Sequence, residues 1–430
     1  MSMERWKKPL PTRSALLLAG VAATAAGLLL AAPAHADEDE CAEPTRRPVA
    51  SYPLKEGGTW ERGANLRDSE GRLQARQEHA AVNHNGFVYL IGGFVPIQPP
   101  PTPTENQPEP FPFVGTGEIL AYTPVGHPSP YPPGTWHSLP KSSSFPRASM
   151  HHIVAVSHQG KIWALGGHAG PFEPTAGIFV FTQGKDGDKN PNGTWGQVRR
   201  SDGQPCGEGD ECLTLPEERS AGAAVSVGHR IYLMGGVVDS KHSPDPVNES
   251  IQTTASVISL DTTRFPLTWK KVPAMHTRRE HFNATVFDGR IFVFQGRSEV
   301  STHLRKVESF DPSNDEDWTD EEETPVGASA NILARVGDQV YSFGGEFIAS
   351  NITATLTASQ VFDIPSRSWS RLKTTVMTAP LDAGGADNKH GTYGLTFEEN
   401  GVTKIMAPGG ASTAWFAPMS KVHIFTPPRQ

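Results

Sequence analysis

Side chains that could bind or move charge fall in short clusters: Arg76, Glu78 and His79; Arg147, His151 and His152; Glu218 and Arg219; Arg278, Arg279, Glu280 and His281; and His390. Guanidinium forks match carboxylates through paired N–H donors, so arginines repeated in this way suit an acidic small molecule, an acidic sugar or an acidic peptide. A carboxylate or histidine beside an arginine can also move a proton on a bound anion, and Glu280 and His281 beside Arg279 are the candidates for that chemistry. The competing use of the same groups is bracing, because a buried arginine that recurs with a repeating unit can satisfy the carbonyls of its own unit. Three of the histidines could converge on a metal. Lone histidines more often serve structure, however, and no metal or cofactor is expected.

Each cluster stands immediately before the same kind of segment. In the first copy, residues 76–94 read RQEHAAVNHNGFVYLIGGF: a polar lead, the small run Ala80, Ala81 and Val82, an Asn85-Gly86 turn, and an apolar run closed by Gly92 and Gly93. That order is a β-hairpin signature. Residues 87–91 are apolar at every position, so their strand is expected to be covered on both faces. The paired glycines mark a sharp exit or a close backbone approach. The unit returns at residues 147–168, 218–237, 278–297 and 327–346, and in degenerate form at 389–411, with Gln295 in place of the first glycine in the fourth copy. A third strand is predicted after each hairpin, at 118–122, 178–181, 257–260, 307–310, 359–362 and 422–425, three of them ending at the turn residues Asp261, Asp311 and Asp363. Trp136, Trp195, Trp269, Trp318 and Trp369 then mark a fourth strand in five units. The sixth reaches Gln430 without one, and the matching context, GGTWERGANL around Trp60, lies at the other end of the chain. An N-terminal strand is therefore predicted to complete the last unit and close a ring.

This combination of hairpin, glycine pair, aspartate-ended strand and spaced tryptophan resembles the kelch repeat over nearly all of the chain from about residue 52. The resemblance implies an all-β fold, a six-bladed kelch-type β-propeller spanning 52–430 and closed by an N-terminal strand. Radial repetition agrees physically, since it leaves only short protected edges and one blade cannot bury both its faces alone. Such a propeller implies a binding or interaction protein with a protein or glycan ligand. Kelch-type copper oxidases such as galactose oxidase need copper-binding tyrosines and histidines and a tyrosine–cysteine crosslink, which nothing here matches. Sialidases share six blades and tryptophan-ended turns similar to PPGTW at 132–136 and NGTW at 192–195, but their Ser-x-Asp-x-Gly lead is absent. A sugar mutarotase of the kelch class, of the N-acetylneuraminate epimerase type, is the alternative. It would need only a proton-transferring carboxylate or histidine and an arginine for the substrate carboxylate, roles for Glu280, His281 and Arg279.

Antiparallel alternation places the start of each hairpin and its glycine pair at one end, so the charged clusters and the segments after the glycines share one face. With the first strand innermost, the clusters ring a channel mouth, and Arg76, His79, Arg147, His151, Arg219, Arg279 and His281 are the expected ligand-binding residues. The insertions 96–112 and 239–254 and the loop holding Cys206 and Cys212 project from the same face, as functional loops on rigid scaffolds do. The proline-rich stretch reads as a stiff arm, and the acidic run around Trp318 as a solvated edge without calcium-loop spacing.

The 430 residues are 20% charged and rich in glycine and proline, as suits a loop-rich β protein. Arg5, Lys7, Lys8 and Arg13 precede an apolar run over 15–32 and the small-residue site Ala34-His35-Ala36, which reads as a signal peptide over 1–36. Export to the extracellular space or periplasm follows, with no membrane attachment after cleavage. Removal of 1–36 takes away four basic residues and one acidic one, leaving 34 basic against 45 acidic and a charge of −11, which argues against nucleic acid. Residues 37–51 read as a disordered acidic lead-in. In an oxidising compartment Cys206 and Cys212 form a local disulfide and Cys41 is left over. A monomer is expected.

Overall fold

The computed structural model describes residues 52–99, 112–170, 173–238, 252–299, 302–314, 316–349, 352–373, 388–412 and 417–428. The predicted signal peptide, the lead-in, Cys41, most of the proline-rich arm and residues 239–251 lie outside the described residues. Nearly everything described is strand or turn; the one short helical turn is Lys141–Ser143.

Six sheets repeat one antiparallel order, in which the hairpin is followed outward by a third and a fourth strand. Blade one runs Ala80–His84, Phe87–Ile91, Leu120–Thr123 and Thr135–Ser138. Blades two to four begin at Val154–His158, Ala223–Val227 and Asn283–Phe287, and blade five at Ile332–Val336. Blade six uses Leu395–Glu399, Val402–Pro408 and Val422–Thr426, and its outermost strand is the N-terminal Thr59–Arg62, paired Trp60 to Phe425. The tryptophan strand predicted to complete the last unit does so. A further strand was not foreseen: Leu54–Glu56 pairs in parallel with Ser368–Lys373 on the outside of blade five.

The unbroken apolar strands follow from the stacking of blades. In blade one Phe87, Tyr89 and Ile91 pack with Ile162, Phe179 and Phe181 of blade two. Val88 and Leu90, on the other face, pack with Phe397, Met406 and Ile424 of blade six. Each remaining pair of neighbours has its own core of this kind, so there is one core per interface. The turns at the far end of the hairpins are tight. Asn85-Gly86, Gln159-Gly160, Asp288-Gly289 and Asn400-Gly401 each place both residues at positive φ, the two-residue turn whose twist matches the strands.

Two belts of backbone hydrogen bonds tie the blades at the other end. In the first, each N–H donates to the carbonyl of the preceding blade: His152 to Glu78 (2.9 Å), Ala221 to His152 (3.0 Å), His281 to Ala221 (2.9 Å), Ala330 to His281 (2.8 Å), Gly391 to Ala330 (3.0 Å) and Glu78 to Gly391 (2.7 Å). The series returns to its start, so the ring is closed. In the second belt the later glycine of each pair donates to the next blade, as Gly236 does to Arg279 O (2.8 Å) and Gly410 to Arg76 O (2.8 Å). This explains the glycine pairs. A Cβ on Gly235, at φ +54°, would stand 2.6 Å from Arg279 O. Gln295 keeps the same bend at φ 57° in blade four, and its side chain is used: Nε2 donates to Val326 O, while Oε1 accepts from Asn331 and Ser342.

The two faces differ. On the belt side the connections after the glycines form small extra hairpins in blades one, three, four and five and a three-stranded patch in blade two. The opposite face carries the tight turns.

Burial within this ring has a consequence for acid stability. His423, in the third strand of blade six, is fully buried, and desolvation, together with Lys389, Arg62 and Lys421, pushes its imidazole down to about 2. The unfolded chain takes up a proton there near pH 6.5 and the folded chain does not, so this stability is present above 6.5 and is lost as pH falls. The group should contribute a slope of about 1.4 kcal/mol per pH unit. Denaturant unfolding at pH 6.5, 5.5 and 4.5 should give a shallower acid decline for His423→Gln than for the natural chain; identical slopes would contradict the assignment.

Candidate functional site

The residues of the first belt stand around the axis, and several carry ionisable side chains: Glu78, His152 and His281, all at positive φ (53°, 52° and 49°). Left-handed backbone is uncommon for such residues and is held here by the belt. Gly391 occupies the same position in blade six, where Glu78 Oε1 fills the space its Cβ would need. Glu78 Oε2 lies 3.4 Å from His152 Nε2 and 3.5 Å from His281 Nε2. Desolvation pushes the Glu78 carboxyl up to about 7, against the opposing pull of His390 and Arg297. It also holds His152 and His281 well below the usual histidine range, helped by neighbouring histidines and Arg297.

Around this trio lies a second set. The residue before each belt position pairs across the sheet with the residue after the glycine pair, as Glu280 does with Arg297 and His151 with His168. His281 Nδ1 bonds Glu280, whose other oxygen accepts from Arg297 Nε. Arg297 Nη1 donates to Glu346 at 2.6 Å, and His390 Nδ1 stands 3.4 Å from the same carboxylate. Burial opposes the ionisation of Glu346, but His390 and Arg297 hold its carboxyl below the usual range. His151 Nδ1 bonds His152 Nδ1, and His168 Nε2 meets Ser220 Oγ at 2.8 Å.

The structure thus brings together Glu280, His281 and His151 of the predicted residues, and does not bring the arginines with them. Arg76, Arg219 and Arg279 are buried and turned into their own blades, correcting the expected rim of open forks. Arg76 Nη1 donates to Glu118 O (3.0 Å), Arg219 Nη1 to Ser256 O (3.3 Å), and Arg279 Nη1 to Gln295 O (2.9 Å) and Lys306 O (3.1 Å). Lys389 repeats this in blade six, reaching Ala407 O and Lys421 O. In blade two Met150 takes the bracing position, and Arg147 is exposed, its guanidinium 5.7 Å from the Phe179 ring. His79 lies behind the belt against Thr392, kept neutral by burial, which pushes it down to about 3. Cys206 and Cys212 are joined by a disulfide. A proton-transfer triad of Glu280, His281 and Arg279 is not assembled, because Arg279 points away from the other two.

Glu78 and His152 belong to the clusters seen in the sequence but do not stand out there. His168, Arg297 and Glu346 were missed altogether. The available signal was positional, since His168 and Glu346 directly follow a glycine pair and Arg297 follows its Gln-Gly equivalent, in GGH, GGE and QGR.

Comparison with known proteins agrees with the architecture. The chain is 23% identical over 384 residues to Kelch-like protein terF of Aspergillus terreus, covering 89% of this chain and 70% of that protein. It is 32% identical over 133 residues to alpha-scruin of Limulus polyphemus, covering 31% of this chain and 14% of that protein. To Kelch-like protein 40 of Mus musculus it is 33% identical over 97 residues, covering 22% of this chain and 15% of that protein. No protein-family model matches the chain. Six stacked four-stranded units joined in a ring define a β-propeller. With glycine-pair hairpins in each blade but the fourth, and with these relatives, the chain is a kelch-repeat protein.

Proposed function

We propose that this chain is an exported kelch-repeat binding protein, released by cleavage of a signal peptide over residues 1–36, that works as a monomer and holds a protein partner on its belt-side face. The asymmetry of the two faces supports this reading. The turn-side face carries the two-residue hairpin turns and the loops between third and fourth strands, whereas the belt side raises second hairpins in a collar around the polar axis, and rigid scaffolds carry their recognition loops in this way. Val114 and Phe347, on the hairpins of blades one and five, are 40% and 37% exposed and supply apolar contact on that collar. A glycan is the other ligand class such a face could hold. The acidic-ligand preference loses most of its basis, because Arg76, Arg219 and Arg279 are engaged within their blades and only Arg147 of the expected arginines is exposed.

The test begins with capture of partners by the immobilised chain from the extracellular fraction, alongside a glycan array. The captured ligand is then titrated against Val114→Asp and Phe347→Asp. Loss of a collar anchor should weaken binding by about 2 kcal/mol or more, with the melting curve unchanged. Normal binding by both variants would place the contact elsewhere.

A further inference from the structure

We propose that Glu78, His152 and His281 form a three-ligand zinc site on the axis of the propeller. The three facing atoms, Glu78 Oε2 and the two Nε2 atoms, all lie within 4.8 Å of one another, at 3.4 and 3.5 Å from the carboxylate oxygen. Bonds of 2.0–2.1 Å to a tetrahedral ion separate its ligand atoms by about 3.3–3.4 Å, whereas octahedral bonds of similar length separate neighbours by about 3 Å. The two edges from the carboxylate oxygen match the tetrahedron better than the octahedron. Two imidazoles and one carboxylate leave a fourth position for water or a ligand group, and Glu78, His152 and His281 each retain a few per cent of their surface exposed (4%, 6% and 6%).

The hydrogen bonds around the trio decide which nitrogens are bare. His151 Nε2 faces the carbonyl of Gly170 at 3.1 Å and must carry its proton, so its Nδ1 accepts. The partner of that nitrogen, His152 Nδ1, is therefore the donor, which leaves His152 Nε2 a lone pair. His281 Nδ1 donates to Glu280, leaving Nε2 bare there too. Glu78 Oε2 is buried without a hydrogen-bond partner among the described residues. Three acceptors converge with no donor between them, and a cation is what such a pocket lacks. Glu280 behind His281, held by Arg297, supplies the carboxylate that orients a metal-bound histidine. The closed belt fixes all three backbones. A rival trio, His151, His152 and His168, offers less, because Nε2 of His151 and of His168 are already committed to Gly170 and Ser220.

The chain, stripped with chelator and then dialysed, is titrated with Zn2+ by calorimetry and with Co2+ by visible absorption. One ion per chain, with the intense visible bands of four-coordinate cobalt, is the expected result. Glu280→Gln should weaken zinc binding by about 10–100-fold, and Glu78→Gln and His281→Gln should weaken it further. His276→Ala, which removes a histidine from the partly exposed His276, Glu308 and Asp320 group, should leave it unchanged. Glu78→Gln is isosteric and keeps the backbone belt, and its metal-free melt confirms folding if His281→Gln fails to fold. No uptake by the natural chain, equal uptake by Glu78→Gln, or a weak six-coordinate cobalt spectrum would overturn the assignment.

Discussion

Deleting residues 52–66 should abolish the cooperative fold, and Trp60→Ala alone should cost about 3–5 kcal/mol. The segment is a strap across three blades. Tyr52 Oη donates to Glu323 O (3.0 Å) and accepts from Arg305 (2.8 Å) in blade four. Leu54–Glu56 extends blade five, and Thr59–Arg62 completes blade six. Trp60 is buried between blades five and six, its ring 4.9 Å from Phe343 and 5.1 Å from Phe425, and Leu66 is buried between blades six and one. A typical domain is stable by about 5–15 kcal/mol, so losing Trp60 and Leu66 together with two strands exceeds what the ring can absorb. The bared Val422–Thr426 strand would also be an unpaired edge prone to association. Thermal and urea unfolding of Trp60→Ala and of the deletion decide the matter, and a deletion that unfolds like the natural chain would contradict closure by the strap.

Arg279→Ala is expected to destabilise by a similar amount, about 3–5 kcal/mol, because it strands a buried carboxylate. Arg279 and Glu308 are both fully buried and bonded to each other, and the guanidinium also serves two carbonyls. Arg219→Ala should cost less, since its partner Glu217 is 52% exposed and can return to water. Replacing both Arg279 and Glu308 by apolar residues of similar size should recover much of the loss of the single variant. If Arg279→Ala melts normally, the arginine is not a brace.

What the sequence showed and what it hid divide along physical lines. The hairpins, third strands and tryptophan strands repeat in residue type because stacked blades bury both faces of the same positions. That is why Phe87–Ile91 could be read as covered on both sides and Trp60 as the missing strand of blade six. The glycine pairs were visible, but their cause, an approach to the next blade's carbonyl, needed the neighbouring blade. The arginines misled because they lie just before the strand, where alternation no longer fixes direction. Positive φ at Glu78, His152 and His281 turns those side chains to the axis while Arg76 and Arg279 turn inward. His168, Arg297 and Glu346 escaped notice because the position after the glycines holds a different residue in every blade, so no repeat marks it. The strap at Leu54–Glu56 has exposed side chains and no apolar signature.

The central claim is that the belt-side face is where a partner sits. Photo-crosslinking residues placed singly at Val114 and Phe347 on the collar, and at Gly160 and Gly289 in the opposite turns, test it directly in the presence of captured ligand. Crosslinks from the collar positions with none from the turns is the predicted result. Crosslinks confined to Gly160 and Gly289 would contradict it.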